Sequence, residues 1–313
     1  MDRVSDIIHL KWAHSQNILG QGIGVAVLDT GIVPHPDFIN VQNRIIAFQD
    51  FVNGNEKMYD DNGHGTHVSG ILGGDGCASN GVYCGVAPRC NIISVKVLNH
   101  KGNGDIANVV AGLRWVIENK ERYNIRVVNI SVGTTAKSVV SEDSELVKMV
   151  NTVWDSDIVV VVAAGNGGPH PKTIGAPGIS RKVITVGASD DDIAVDLMGK
   201  SMKDYSGRGP TNACIKKPDV VAPGSRIISC NMQKRPNTIF GFQKNSSNYY
   251  TEKSGTSMST PIVSGAIALL LSQYPYYTTR DVKMKIRESS DDLGQPHGKQ
   301  GWGRLNVAKL LQT

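Results

Sequence analysis

The chain has 313 residues, 40% of them hydrophobic and 19% charged, the make-up of a soluble globular protein with length enough for a deep core. Its net charge of +5 is not gathered into a basic block, so no nucleic-acid footprint is expected, and no run approaches the ~18–20 apolar residues that span a bilayer. Five cysteines without a C-x-x-C pair point to reduced thiols and a cytoplasmic setting, with a local bridge among Cys77, Cys84 and Cys90 as the minority alternative. The opening Met1-Asp2-Arg3-Val4-Ser5-Asp6 carries no apolar signal core. If a signal and pro-segment had been removed ahead of it, secretion would be expected instead.

Residues 1–20 are expected to pack on the main body as a short N-terminal segment. Gly24 to Leu28 is a continuous apolar run, the pattern of a strand buried on both faces, and it ends at Asp29-Thr30-Gly31. Gly20-x-Gly22-x-Gly24 precedes the strand and so is no dinucleotide fingerprint. Asn62 to Gly70 packs small residues around His64 and His67. Two histidines three apart lack the further ligands of a zinc enzyme, so His67 is expected to pack or hydrogen-bond within its helix. Asn91 to Leu98 reads as a strand, and Ile106, Val109, Val110, Leu113, Val116 and Ile117 trace one helical face. A strand at Val127 to Ser131 precedes a helical stripe of Leu146, Met149, Val150, Val153 and Trp154. Ile158 to Ala164 is a strand running into Gly165-Asn166-Gly167-Gly168, and Val183 to Val186 is another.

The acidic triplet Asp190-Asp191-Asp192 and the pair Lys216-Lys217 read as solvated loop charges. Gln233 to Lys253, with Phe240, Phe242, Tyr249 and Tyr250, either packs aromatics into the core or borders a contact surface. Ser254 to Pro261 is a small-residue turn entering a helix at Ile262 to Leu271, with Pro261 expected in the first turn. Thr278-x-x-Asp281 forms a capping box for the helix after it. The repeated strand–helix order predicts an α/β fold: a single domain, 1–313, with a doubly wound, mostly parallel sheet flanked by helices.

Four residues carry chemistry in this frame. Asp29 ends a buried strand, where open α/β sheets bind ligands. Ser257 stands at a helix N-terminus, where backbone N–H groups and the dipole favour negative charge. A serine nucleophile needs a base, which His64 supplies near neutral pH, and the histidine needs an acid to fix its tautomer. Asn166 offers a side-chain amide to an oxyanion beside the Ser257 N–H. Each has a plain structural reading alone; the set in the order Asp–His–Ser points to acyl transfer.

Asp29-Thr30-Gly31, His64-Gly65-Thr66-His67-Val68 and Gly255-Thr256-Ser257-Met258-Ser259-Thr260-Pro261 resemble the three signature motifs of the subtilisin-like serine proteases, and the overall pattern is similar to the bacterial intracellular type. Ala163-Ala164-Gly165-Asn166 resembles the family's oxyanion segment; Tyr205 to Pro210 and Lys217 to Gly224 resemble further stretches without a catalytic role. The resemblance implies a serine endopeptidase with Asp29, His64 and Ser257 as triad and Asn166 in the oxyanion hole. It implies a substrate strand held between Gly102-Asn103-Gly104 and Ser131-Val132-Gly133, the former led by Lys101. A pocket walled by Ser131 to Gly133 and Ala163-Ala164-Gly165, with Gly175 at its base, would take a bulky apolar P1 side chain. No cofactor is expected in the chemistry. A structural calcium ion is possible at Gly74 to Tyr83 with Asp37 as a ligand, although that loop has few carboxylates. An inhibitory pro-peptide is a further possible partner, and Ile262 replaces a histidine frequent in relatives.

Overall fold

The computed structural model describes residues 1–132, 141–197, 199–232 and 249–312. Its strands are β1 (Gly24–Asp29), β2 (Ile45–Asp50), β3 (Asn91–Lys96), β4 (Ile125–Ile130), β5 (Val159–Ala163), β6 (Ile184–Ala188), β7 (Val195–Leu197), β8 (Lys200–Met202), β9 (Val220–Ala222), β10 (Ile227–Cys230) and β11 (Tyr250–Lys253). The helices are α1 (Asp2–Ile7), α2 (Leu10–Ser15), α3 (Pro36–Ile39), α4 (His64–Gly73), α5 (Ile106–Glu118), α6 (Glu145–Asp155), α7 (Thr256–Gln273), α8 (Thr279–Ser289), α9 (His297–Gln300) and α10 (Val307–Leu311).

Seven strands form one parallel sheet in the order β2-β3-β1-β4-β5-β6-β9, while β7-β8 and β10-β11 are antiparallel pairs beside it. Every residue of β1, β5 and β6 is buried, as an apolar strand covered on both faces must be. The cover comes from two helix pairs, α4 with α7 and α5 with α6. This is the expected α/β architecture. The chain lays down β1, moves out to β2 and β3 on one side, then crosses to β4 on the other. The carboxyl end of β1 therefore lies where strand order reverses, the position at which such sheets open a crevice.

Helix α7 is buried nearly all round, and Ile262, Val263, Ile267, Leu269, Leu270 and Leu271 are fully enclosed. Each contributes about 1.5–3 kcal/mol relative to exposure, which fixes the helix against the sheet. It begins at Thr256, not at Ile262, so Ser257 lies inside its first turn and Pro261 lies beyond it. Proline there removes the N–H that would bond the Ser257 carbonyl. Hydroxyls compensate nearby: Thr260 donates to Thr256 O at 2.8 Å and Ser264 to Thr260 O at 3.1 Å. The helix start eluded periodicity because Thr256 to Thr260 has no apolar stripe.

The N-terminal segment joins the same core through Val4, Ile8, Leu10 and Ala13. The Met1 ammonium donates to Ile228 O at 2.9 Å, and Val307 N–H donates to Ile8 O at 2.8 Å. The capping box at α8 forms as expected, with Asp281 accepting from Thr278 N–H at 2.9 Å. Two loop-charge expectations are overturned. Asp191 is 1% exposed beside Arg208, and Lys217 is 1% exposed with Nζ 2.5 Å from Asp219. Burial requires such charges to be paired: Arg208 lies 17 positions from Asp191, whereas Asp219 is two positions from Lys217.

Candidate active site

Asp29 ends β1 with 1% of its surface exposed. Its Oδ1 accepts the His64 Nδ1–H at 2.7 Å and the Thr30 N–H at 2.8 Å. That bond fixes the neutral tautomer with its lone pair on Nε2, the form a general base needs. The loop that delivers His64 is held by Asp60, a residue that sequence reasoning missed. The Asp60 carboxylate accepts from Thr30 Oγ1 (2.9 Å), Asn62 N–H (3.1 Å), Gly63 N–H (2.7 Å), Thr66 N–H (2.9 Å) and Thr66 Oγ1 (2.7 Å). Thr30 Oγ1 in turn accepts the Gly65 N–H at 2.9 Å. Burial pushes the Asp60 carboxyl up, but these donors outweigh it and hold its pKa below the ordinary value. The spacing Asp60-x-Asn62-Gly63, an acid ahead of a helix start, is the signal that could have identified it. Gly65 is required by close approach: a Cβ there would stand 2.2 Å from Gly31 O.

Burial alone would lower the His64 pKa; the charge and hydrogen bond of Asp29 outweigh that, and the net shift is upward. The Lys253 cation opposes the rise. His64 is a base only when neutral, so the acid limb of kcat/KM should have its midpoint above the ordinary histidine value, about 6.5. Lys253→Met should move that midpoint further up. A profile of kcat/KM against pH for both proteins checks this; a downward move would refute the assigned field.

Ser257, second residue of α7, has an N–H with no intrahelical acceptor available. Its Oγ donates to Ser131 O at 2.7 Å. Ser131 follows β4 and Asp29 ends β1, and the two strands pair through Leu28 and Ile130. The sheet edge thus brings the Asp29–His64 pair and Ser257 to one place. In this rotamer the Ser257 hydroxyl points its proton at the Ser131 carbonyl. Ser131 is itself tied to α7: its Oγ accepts from Asn129 Nδ2 at 2.8 Å, and Asn129 Oδ1 accepts from Ser264 Oγ at 2.9 Å.

Asn166 follows β5. Its Oδ1 accepts from Thr256 N–H at 3.0 Å and from Thr256 Oγ1 at 3.1 Å. Two donors fix the oxygen end, so the NH₂ end is the one turned away from Thr256 and available to an oxyanion. Gly255, at φ +127°, leaves the room: a Cβ would sit 3.1 Å from Asn166 Nδ2.

The remaining expected substrate-binding residues gather around this edge. Gly102 lies beside Asn62, whose Nδ2 would be 3.7 Å from a Cβ there, two residues from His64. Asn103 O accepts from Asn99 N–H at 2.8 Å and shapes the turn that carries Gly104. Gly175 N–H donates to Ala164 O at 3.3 Å, and Gly207 N–H to Gly165 O at 2.7 Å, next to the end of β5 at Ala163. Val132 packs partly buried on the core. Gly133, Phe240 and Phe242 lie outside the described residues, whereas Tyr250 is buried in the core and Tyr249 packs against it.

Elsewhere the expectations are revised. His67 Nε2 reaches across to Ile227 O and Thr251 O, both at 3.1 Å, outside its own helix. Burial, helped by Lys253, lowers its pKa to about 3, so it stays neutral. Cys77, Cys84 and Cys90 are unbridged, which agrees with the expectation of reduced thiols. Asp37 does meet the 74–83 loop, accepting from Ala78 N–H at 2.9 Å. Its carboxylate also takes the Tyr250 hydroxyl at 2.8 Å and the Cys230 thiol at 3.6 Å. Calcium gathers several oxygens. The His and Cys side chains grouped with Asp37 are those of His35 and Cys230, a ring nitrogen and a sulfur.

The subtilase family model (Peptidase_S8) matches residues 20–303. The chain is 43% identical over 301 residues to serine protease AprX of Bacillus subtilis, an alignment covering 93% of this chain and 66% of that protein. It is 33% identical over 310 residues to subtilisin DY of Bacillus licheniformis, covering 98% of this chain and 97% of the other. A cold-adapted subtilisin-like serine proteinase superposes with a TM-score of 0.71 at 27% identity, over 93% of this chain and 90% of its own. The signature residues thus stand in a matching fold, and the chain belongs to the subtilase family of serine proteases.

Proposed function

We propose that the chain is a serine endopeptidase that hydrolyses protein and peptide substrates through an acyl-enzyme, on one catalytic domain spanning residues 1–313. The observation that carries this is the 2.7 Å bond between buried Asp29 and His64, at the same sheet edge as a serine in the first turn of α7. Ser257 Oγ attacks the scissile carbonyl while His64 Nε2 takes its proton, with Asp29 holding the imidazolium that forms. The Asn166 amide and the Ser257 N–H receive the charge on the carbonyl oxygen. His64 returns the proton to the departing amine as the C–N bond breaks, and water reverses the sequence to release the acid. These steps draw on side chains and backbone alone.

The substrate is proposed to lie as an added strand between residues 102–104 and 131–133, which places its main chain beside His64 and Ser257. Specificity is proposed to be broad, with Phe, Tyr, Leu or Met preferred at P1, because Ser131, Ala163, Ala164, Gly165 and Gly175 are small and uncharged. A cytoplasmic setting agrees with five unbridged cysteines, and an inhibitory pro-peptide would occupy the same strand position as substrate. No helix among the described residues is long and apolar enough to cross a membrane.

The test is labelling by a fluorophosphonate serine probe, followed by a P1-varied peptide panel. Labelling is expected in wild type and absent in Ser257→Ala and in heat-denatured protein, with fastest cleavage after a bulky apolar residue. A folded wild type that takes no label would overturn the catalytic reading. Fastest cleavage after Arg would overturn the pocket alone.

A further inference from the structure

We propose that His35, Asp37 and Cys230 form a buried binding site for a borderline-soft divalent cation of the zinc class, separate from the catalytic edge. One ligand atom from each of the three lies within 4.8 Å of the others. His35 Nδ1 is 3.8 Å from Asp37 Oδ1, and Cys230 Sγ is 3.6 Å from Asp37 Oδ2. Metal bonds of about 2.0–2.3 Å in a tetrahedron place ligand atoms roughly 3.3–3.8 Å apart, so two edges are already near that spacing.

Three further observations favour a cation. The residues are 3%, 0% and 1% exposed, yet among the described residues the Asp37 carboxylate has no Lys or Arg at ion-pair distance. Arg44 reaches only the Asp37 backbone carbonyl. A buried carboxylate without a fixed positive partner is costly, and a bound dication removes that cost. His35 Nε2 is 2.8 Å from Tyr249 O, which makes Nε2 the protonated nitrogen and leaves Nδ1 as a neutral lone-pair donor, as in metal-binding histidines. Beside the cluster, Asp75 Oδ2 is buried without a hydrogen-bond partner. The Tyr250 hydroxyl, on both Asp37 oxygens, would orient the carboxylate from behind.

Binding exchanges existing bonds. His35 Nδ1 now accepts the Asp37 N–H at 3.1 Å, and the Cys230 S–H donates to Asp37. When the sulfur–metal bond forms, the thiol proton leaves to solvent and no electron is transferred. Thiolate, carboxylate, neutral imidazole and dication then sum to zero charge, which suits a buried site. The ion would tie the turn before α3 to β10. Because all three ligands are buried, loading is expected while the chain folds.

The test is expression in cobalt-supplemented medium, removal of any affinity tag, and spectroscopy of the purified protein. One cobalt per chain is expected, with a thiolate-to-cobalt charge-transfer band and a thermal midpoint that falls when the ion is stripped. Cys230→Ser should abolish the band. His35→Asn keeps a side-chain oxygen to cap Asp37 N–H, so the turn is preserved while the nitrogen ligand is lost. It should lose stoichiometric cobalt and the stripping effect on the midpoint. A wild type without the band, a full band in either variant, or displacement of cobalt by excess calcium would overturn the proposal. If Cys230→Ser does not fold, His35→Asn decides alone.

Discussion

Ser257→Ala is expected to lower kcat by about 10⁶-fold while KM changes little, a magnitude taken from subtilisin, a member of the same family. The alanine keeps the first turn of α7 and its N–H groups, so residual turnover would report the oxyanion donors and binding alone. Asp29→Asn should cost about 10⁴-fold in kcat for a different reason. The amide matches the carboxylate in size, but its NH₂ can donate to His64 Nδ1. The ring proton then moves to Nε2, and the nitrogen facing Ser257 is no longer a base. Asp29 Oδ1 also accepts the Thr30 N–H, so the Asn oxygen has a donor ready and the flipped tautomer is the expected one. Steady-state hydrolysis of a chromogenic peptide, with circular dichroism to confirm folding, measures both variants. A folded Ser257→Ala protein that keeps even about 1% of wild-type kcat would show that another group is the nucleophile.

The two effects rest on a site that was partly legible in the sequence. Asp29 could be placed because Gly24 to Leu28 is apolar without a break, the pattern expected of a strand buried on both faces. The α5 and α6 stripes were legible for the matching reason at the helical period. Strand β2 was not seen: it is an edge strand whose Ile46 is 38% exposed, so alternation does not mark it, and its apolar run, Ile45 to Phe48, is short. Strands β9 and β10 are only three and four residues long, too short for a pattern to form. The start of α7 was displaced because Ser and Thr favour caps and turns, and because Pro261 was expected in the first turn. Here the sheet and α4 hold that segment helical in spite of its composition.

What the sequence could not reveal is who holds the proposed catalytic residues. Asp60 acts through backbone N–H groups, which every non-proline residue has, so no residue type advertises the contact. Thr30 bridges the end of β1 to the start of α4 through a single hydroxyl, a role that depends on two elements being brought 35 positions together. Buried Lys96 belongs to the same support, its Nζ donating to Thr30 O at 2.6 Å and to Asp61 Oδ1 at 2.7 Å. Charged residues such as Lys96 and Asp191 look solvated in sequence because their partners, Asp61 and Arg208, lie elsewhere in the chain. Their burial became visible only with those partners in place.

The proposed oxyanion donor follows the same logic and supplies the second large effect. Asn166→Ala is expected to lower kcat by about 10²–10³-fold, or about 2.7–4 kcal/mol, with KM nearly constant; that range, too, comes from subtilisin. The split between kcat and KM is the diagnostic feature. A donor that serves only developing charge is unused in the ground state, whereas one that binds the substrate carbonyl would show in KM. Thr256→Val supplies a graded control. It removes the hydroxyl that holds Asn166 Oδ1 at 3.1 Å but keeps the backbone N–H at 3.0 Å, so the amide should lose orientation without being lost. Its fall in kcat should be smaller than that of Asn166→Ala, and the double variant should fall no further than Asn166→Ala alone, because Thr256 acts through that amide. A large KM change in Asn166→Ala at unaltered kcat would move the residue from the oxyanion to ground-state binding. Additive losses in the double variant would instead give Thr256 a contact with the substrate of its own.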